Sequence, residues 1–76
     1  MTDFQQELDA RNLSCPMPVM KTKKALKSMS SGDVLYVIAT DPASADDLAT
    51  LTESTGDEII EQSEASGEYH FYIKKA

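Results

Sequence analysis

The run Val34-Leu35-Tyr36-Val37-Ile38-Ala39 constrains the fold more than any other stretch. It is apolar at every position and rich in β-branched and aromatic residues. A strand with one wet face would alternate; this one does not, so little water reaches either face and it is a central strand. Thr40-Asp41-Pro42-Ala43 breaks it, because Pro42 cannot continue a central strand and suits a helix entrance. The other segments of a 76-residue chain must be arranged around this strand. That length supports one modest core and leaves no room for separate catalytic and substrate domains. A single domain over residues 1–76 is expected.

Period-two alternation sets Phe4, Gln6 and Leu8 against Gln5, Glu7 and Asp9, which predicts a short first strand. A loop over Ala10 to Ser14 leads to a helix predicted from Pro16 to about Ser28 or Met29, with Gly32 in the stopping position. Val19, Thr22, Ala25, Leu26 and Met29 fall on one side and form its expected core stripe. Past the central strand a second helix is expected to run to about Thr55, ended by Gly56. Its start admits two arrangements. Ser44 with Asp47 resembles a capping box, and Asp41 as cap with Pro42 at the first position is equally consistent. Ala45, Leu48, Ala49, Leu51 and Thr52 supply its buried side. Glu58 to Glu64 reads as an edge-like strand and Ala65-Ser66-Gly67 as a turn. Glu68 to Lys74 alternates, with Tyr69, Phe71 and Ile73 on one face and Glu68, His70, Tyr72 and Lys74 on the other. If the first two strands are parallel neighbours, a right-handed crossover puts both helices on one face of one sheet. The result is a two-layer α+β sandwich.

Charge narrows the function classes. The net charge is −6, yet from Ala10 to Gly32 the chain carries Arg11, Lys21, Lys23, Lys24 and Lys27 and no acid. Overall acidity argues against strong direct nucleic-acid binding, which depends on neutralising phosphates. The local basic stretch suits steering of an acidic protein surface; its plainer reading is a solvated lysine face. No apolar run approaches the roughly 20 residues that span a bilayer, so no membrane partner is expected. The polar start Met1-Thr2-Asp3-Phe4 does not resemble an export signal, and one cysteine makes no internal disulfide. A reducing, cytoplasmic location is the simplest reading. The small acidic domain is expected to be monomeric, with one sheet face available for self-association.

That cysteine lies in Ser14-Cys15-Pro16-Met17-Pro18. Proline is tolerated in a first helical turn, where its missing N–H would have no partner. Pro16 and Pro18 are therefore placed at the first and third helical positions and Cys15 at the N-cap. There the free N–H groups and the positive end of the helix dipole should lower the thiol pKa. Met17 and Met20 point away from the core stripe, toward Lys24, and with Lys21, Lys24 and Lys27 form a candidate docking surface. Several chemistries are excluded. A phosphatase loop needs an arginine where Lys21 stands. A dithiol switch needs a second cysteine. A cysteine hydrolase needs a histidine base, and the one histidine, His70, lies far along the chain on the last strand. One cysteine and one histidine are too few for zinc, so no metal or other cofactor is expected. What remains is a single nucleophilic sulfur that takes the outer sulfur of a donor persulfide and passes it on. The structural alternative is a small residue in a proline-capped turn, although serine or aspartate would cap better.

Leu8-Asp9, Leu13 through Met20, Ser31-Gly32 and Asp41-Pro42-Ala43-Ser44 resemble the TusA/SirA sulfur-carrier family, and the similarity extends to Tyr69 through Lys75. The resemblance implies a βαβαββ fold like the C-terminal domain of a translation initiation factor. Its mixed four-stranded sheet has order 1-2-4-3 with the last strand antiparallel. It also implies a sulfurtransferase that carries persulfide sulfur on Cys15, with Pro16 and Pro18 shaping the helix entrance and Asp41 and Pro42 structural near the site. Donors would be cysteine desulfurases or rhodanese-type proteins and acceptors DsrE-type proteins. The pathways would be tRNA thiolation, sulfur oxidation or molybdenum-cofactor supply. Two rival readings are a non-enzymatic RNA- or protein-binding regulatory module and a single-cysteine redox sensor.

Overall fold

The structure, a computed structural model, describes residues 3–76. Met1 and Thr2, part of the polar start, lie outside the described residues. The elements run β1 (Gln6–Ala10), α1 (Met17–Lys27), β2 (Val34–Ala39), α2 (Ser44–Thr55), β3 (Glu58–Ala65) and β4 (Glu68–Lys74). The continuously apolar β2 is central: β1 pairs with it in parallel and β4 antiparallel, and β3 closes the far edge on β4. The sheet order is β1-β2-β4-β3, as the resemblance implies. Leu35, Val37 and Ala39 of β2, Phe71 and Ile73 of β4 and Ala10 of β1 make one core with Leu26 of α1 and Leu48 and Leu51 of α2. Both helices thus cover the same sheet face. Full burial of each large apolar side chain there contributes about 1.5–3 kcal/mol.

Local chemistry explains the connections. The β3–β4 loop is Ser66-Gly67, with φ of 53° and 78°. Two successive positive φ values give a hairpin turn whose twist matches the flanking strands. Gly56 ends α2 in the left-handed conformation and donates its N–H to the Thr52 carbonyl at 2.9 Å. The face away from the helices is not bare. Tyr36 and its register partner Tyr72 stack at 4.6 Å, and Tyr36 also stacks on His70 and bonds its Nδ1.

The structure corrects four local expectations. Phe4 does not share the Leu8 face; it precedes β1 and packs on Tyr36 and Tyr72, on the side away from the helices. This cover, together with the stack, buries Tyr72, which alternation had put on the wetter face. Ala49 is exposed, because the buried stripe of α2 is Ser44, Leu48, Leu51 and Thr52. Helix α1 begins at Met17 rather than Pro16 and ends at Lys27, short of Ser28 and Met29. Its core stripe is otherwise as expected, with Thr22 and Leu26 buried and Val19, Ala25 and Met29 packed against the core. Pro18 joins them in full burial, which the periodicity did not assign.

Candidate functional site at Cys15

Parallel pairing of β1 and β2 makes their following loops emerge at the same end of the sheet. The loop after β1 carries Cys15; the loop after β2 carries Asp41 and Pro42. They are tied together by two bonds. The Asn12 N–H donates to Thr40 Oγ1 at 2.9 Å, and the Cys15 N–H donates to Asp41 Oδ2 at 2.6 Å. Asn12 has φ of 64°, a conformation its short polar side chain tolerates. The other oxygen of Asp41 accepts the Ala43 N–H at 3.0 Å, and the Asp41 carbonyl accepts the Ser44 N–H. Asp41 therefore organises the entrance to α2 and clamps the cysteine backbone with the same carboxylate. Of the two α2 starts, the Asp41 arrangement describes the turn better. Ala43 is the terminal residue and Ser44 makes no capping bond. The N–H of Ala43 first, then that of Cys15, hold the Asp41 carboxyl below the usual carboxylate range.

The proline pair shapes the approach to α1. The Cys15–Pro16 peptide bond is cis, and Pro16, with φ −98° and ψ 12°, is the cap of α1 without a side-chain bond. The Ser14 carbonyl accepts the Met17 N–H at 2.9 Å and the Pro16 carbonyl accepts that of Met20 at 3.0 Å. Pro18 is buried in the first turn, and its carbonyl accepts the buried Thr22 hydroxyl at 2.7 Å. Cys15 is free and exposed. It opens onto a shallow cavity of about 300 Å³ between the helices, lined also by Pro16, Val19, Asp47, Thr50, Leu51 and Ser54.

The thiol's electrostatics differ from the expectation. Its pKa is raised, not lowered. The main cause is a hydrogen-bonding relation to the Asp47 side chain, followed by desolvation and then by the negative charges of Asp47 and Asp41. The helix-dipole effect falls off within the first turn, and Cys15 stands two residues before α1. The two acids that act on it arrive from the loop after β2 and from α2.

The remaining sequence candidates divide. Met17 and Met20 are 40% and 57% exposed, as their position away from the core stripe predicts. Lys21, Lys24 and Lys27 are exposed on the outer side of α1, and none of them lines the Cys15 cavity. Lys23, Lys24 and Lys27 instead flank a separate groove with Met20. Pro42 is exposed in the turn before α2. His70 pairs with Tyr36 on the sheet face away from the helices, so it is no base for Cys15. Sequence reasoning missed the α2 side of the site. Asp47, Thr50, Leu51 and Ser54 recur at three- and four-residue spacing, one helical face. Parallel first and second strands, read together with that spacing, were enough to aim this face at the start of α1.

Comparison with known proteins agrees with this fold. The family described as Sulfurtransferase TusA matches residues 6–75. A sulfur carrier protein TusA of Allochromatium vinosum is 53% identical over 76 residues, covering all of both chains. A putative sulfur carrier protein, YrkI, of Bacillus subtilis is 41% identical over 68 residues, covering 90% of this chain and 91% of its own. The crystal structure of a SirA-like protein from Desulfitobacterium hafniense superposes with a TM-score of 0.80 at 28% identity, covering 92% of this chain and 96% of that one. With a family match over nearly its whole length and a relative of this identity, the chain belongs to the TusA sulfurtransferase family.

Proposed function

We propose that this protein is a sulfur carrier that accepts sulfane sulfur as a persulfide on Cys15 and hands it to a partner. The observation that carries the reading is one free, exposed cysteine at the mouth of an open cavity, in a chain whose relatives are named sulfur carriers. The protein acts as a sulfurtransferase in a stoichiometric sense: one sulfur in, one sulfur out, with a donor and an acceptor supplying the rest of the reaction. A cysteine desulfurase or a rhodanese-type protein is the proposed donor and a DsrE-type protein the proposed acceptor. They dock over Met17, Met20 and the lysines Lys21, Lys24 and Lys27. Pro16 and Pro18 shape the turn that presents the sulfur, and Asp41 with Pro42 anchors it.

The raised thiol pKa supports carriage over redox sensing. Susceptibility to peroxide follows thiolate character, and a protonated thiol resists it. A sulfur of higher pKa is also a poorer leaving group, so a persulfide built on it is discharged less readily by stray thiols. The acids around Cys15 likewise weigh against an RNA-binding use of this end of the molecule.

The test is intact-mass measurement after incubation with a desulfurase and cysteine, or with rhodanese and thiosulfate. The expected result is a reductant-sensitive gain of one sulfur atom that is absent in Cys15→Ser. Retained gain in the folded serine variant would sink the assignment to Cys15.

A further inference from the structure

Cys15 has two carboxylates beside it, and the structure separates their duties. Asp41 is committed: its two oxygens accept the Cys15 and Ala43 backbone N–H groups. Asp47 is half-buried in the first part of α2, on the wall of the cavity onto which Cys15 opens. The other walls are Pro16, Val19, Leu51, Thr50 and Ser54, so among the described residues Asp47 is the one carboxylate lining that space, and no lysine, arginine or histidine lines it. A thiol needs to lose its proton as it becomes a nucleophile and needs one back as it leaves.

We infer that Asp47 is a catalytic residue of sulfur transfer, the group that takes the Cys15 proton when sulfur is accepted and returns it when sulfur is released. This rests on the persulfide-carrier reading of Cys15. In acceptance, Cys15 Sγ attacks the outer sulfur of a donor persulfide, R–S–SH. The Sγ–S bond forms, the donor S–S bond breaks, and its electron pair leaves on the donor's inner sulfur. The thiol proton passes to Asp47 and from there to the departing sulfur. The sum is Cys15–SH plus R–SSH giving Cys15–SSH plus R–SH, with no external oxidant or reductant. Release to an acceptor thiol is the reverse, with Sγ recovering its proton from Asp47. The charged groups acting on the thiol are Asp47 from α2 and Asp41 from the loop before it. Both oxygens of Asp41 are taken up by backbone N–H groups, which leaves Asp47, on the wall of the cavity that Cys15 also lines, as the carboxylate placed to take the proton.

The experiment compares wild type, Asp47→Asn and Asp47→Glu, each reduced and checked for folding by circular dichroism. Glutathione persulfide is the sulfur donor, and sulfur gain is followed by rapid quench and intact mass from pH 6 to 10. Iodoacetamide alkylation over the same range reports the thiolate fraction independently. Removing the Asp47 charge is expected to move the alkylation profile of Asp47→Asn to lower pH, so that it holds more thiolate at pH 7. Its sulfur gain at pH 7 is nevertheless expected to fall at least about tenfold, the deficit closing as pH rises and the thiolate forms unaided. Asp47→Glu, which keeps a carboxylate, recovers part of the rate. Sulfur gain in Asp47→Asn that rises in step with its alkylation would overturn the inference, leaving Asp47 as a repelling charge. Wild type that alkylates normally yet gains no sulfur would instead overturn the carrier reading itself, and this inference with it.

Discussion

Ser44→Ala tests the account of the α2 entrance, because the two possible roles of Ser44 give opposite signs. Ser44 is 1% exposed, at the first position of α2, and no described protein group pairs with its Oγ. Its backbone is already served, its N–H bonded to the Asp41 carbonyl at 3.0 Å. A buried hydroxyl without a partner costs about 1–3 kcal/mol of desolvation. Exchange to alanine removes that cost and adds helix propensity of about 0.5 kcal/mol. Against this stands the lost packing of one oxygen, about 0.3 kcal/mol at roughly 24 cal/mol per Å³ of void. Taking the low end of the first figure, the variant is more stable by about 1 kcal/mol. In a domain of this size that raises Tm by about 4–8 °C. If Ser44 instead capped α2, as the capping-box spacing suggests, alanine would cost about 0.5–2 kcal/mol. Urea unfolding followed by far-ultraviolet circular dichroism separates the cases. The midpoint should rise with the slope unchanged. A midpoint lowered by a comparable amount would refute the reasoning and restore the hydroxyl to a bonded role.

Four further outcomes follow from the same geometry. The iodoacetamide profile of wild-type Cys15 should lie at higher pH than that of a cysteine in an unstructured peptide, since Asp47 and Asp41 disfavour the thiolate; a profile at lower pH would return the thiol to helix-dipole control. Because its folded-state pKa is depressed, Asp41 contributes stability that is complete above the unfolded value of about 3.9 and is lost as pH falls through the folded one. Wild type should therefore melt above Asp41→Asn at pH 6, with the gap narrowing by pH 2.5; a constant gap would count against the two N–H bonds as its cause. Leu48→Ala, at a core position with no exposure, should lose about 3 kcal/mol in urea unfolding, and a loss under about 1 kcal/mol would contradict the packing of α2 on the sheet. Reversing Lys21, Lys24 and Lys27 to glutamate should leave the melting curve near wild type and weaken binding of a desulfurase at low salt, measured by calorimetry; unchanged affinity would remove those lysines from the docking surface.

What the sequence made legible was what periodicity and punctuation can carry. The bounds of β2 and β4 are those predicted, because an uninterrupted apolar run closed by Asp41-Pro42 and a long alternation opened by Gly67 are both plain in the sequence. The crossing of the chain that puts β4 between β2 and β3 leaves no local mark; it came from the resemblance. Phe4 was misplaced because alternation assumes the strand has begun, whereas β1 starts at Gln6 and the ring is free to fold onto Tyr36. Cys15 itself was conspicuous as the sole cysteine in a proline-flanked turn. Its electrostatics were not, since the sequence neighbourhood from Ala10 to Gly32 holds no acid at all. The charges that govern the thiol lie 26 and 32 positions further on, by subtraction of residue numbers in Cys15, Asp41 and Asp47.

That separation has a topological cause. A cysteine placed after β1 and a helix placed after β2 meet only because the two strands are parallel neighbours, whose carboxyl ends share one edge of the sheet, the usual place for ligand chemistry in such arrangements. The basic stretch of α1 and the acids of α2 are then not two unrelated patches. The lysines lie on the outer side of α1, where they are free to meet a partner, while Asp47 faces inward at the sulfur. On the proposed reading, a partner recognised by the first surface meets a thiol whose proton Asp47 takes and returns. Recognition and proton handling can therefore be changed separately: lysine reversal should act on affinity and its salt dependence, and Asp47 substitution on the rate of transfer within the complex.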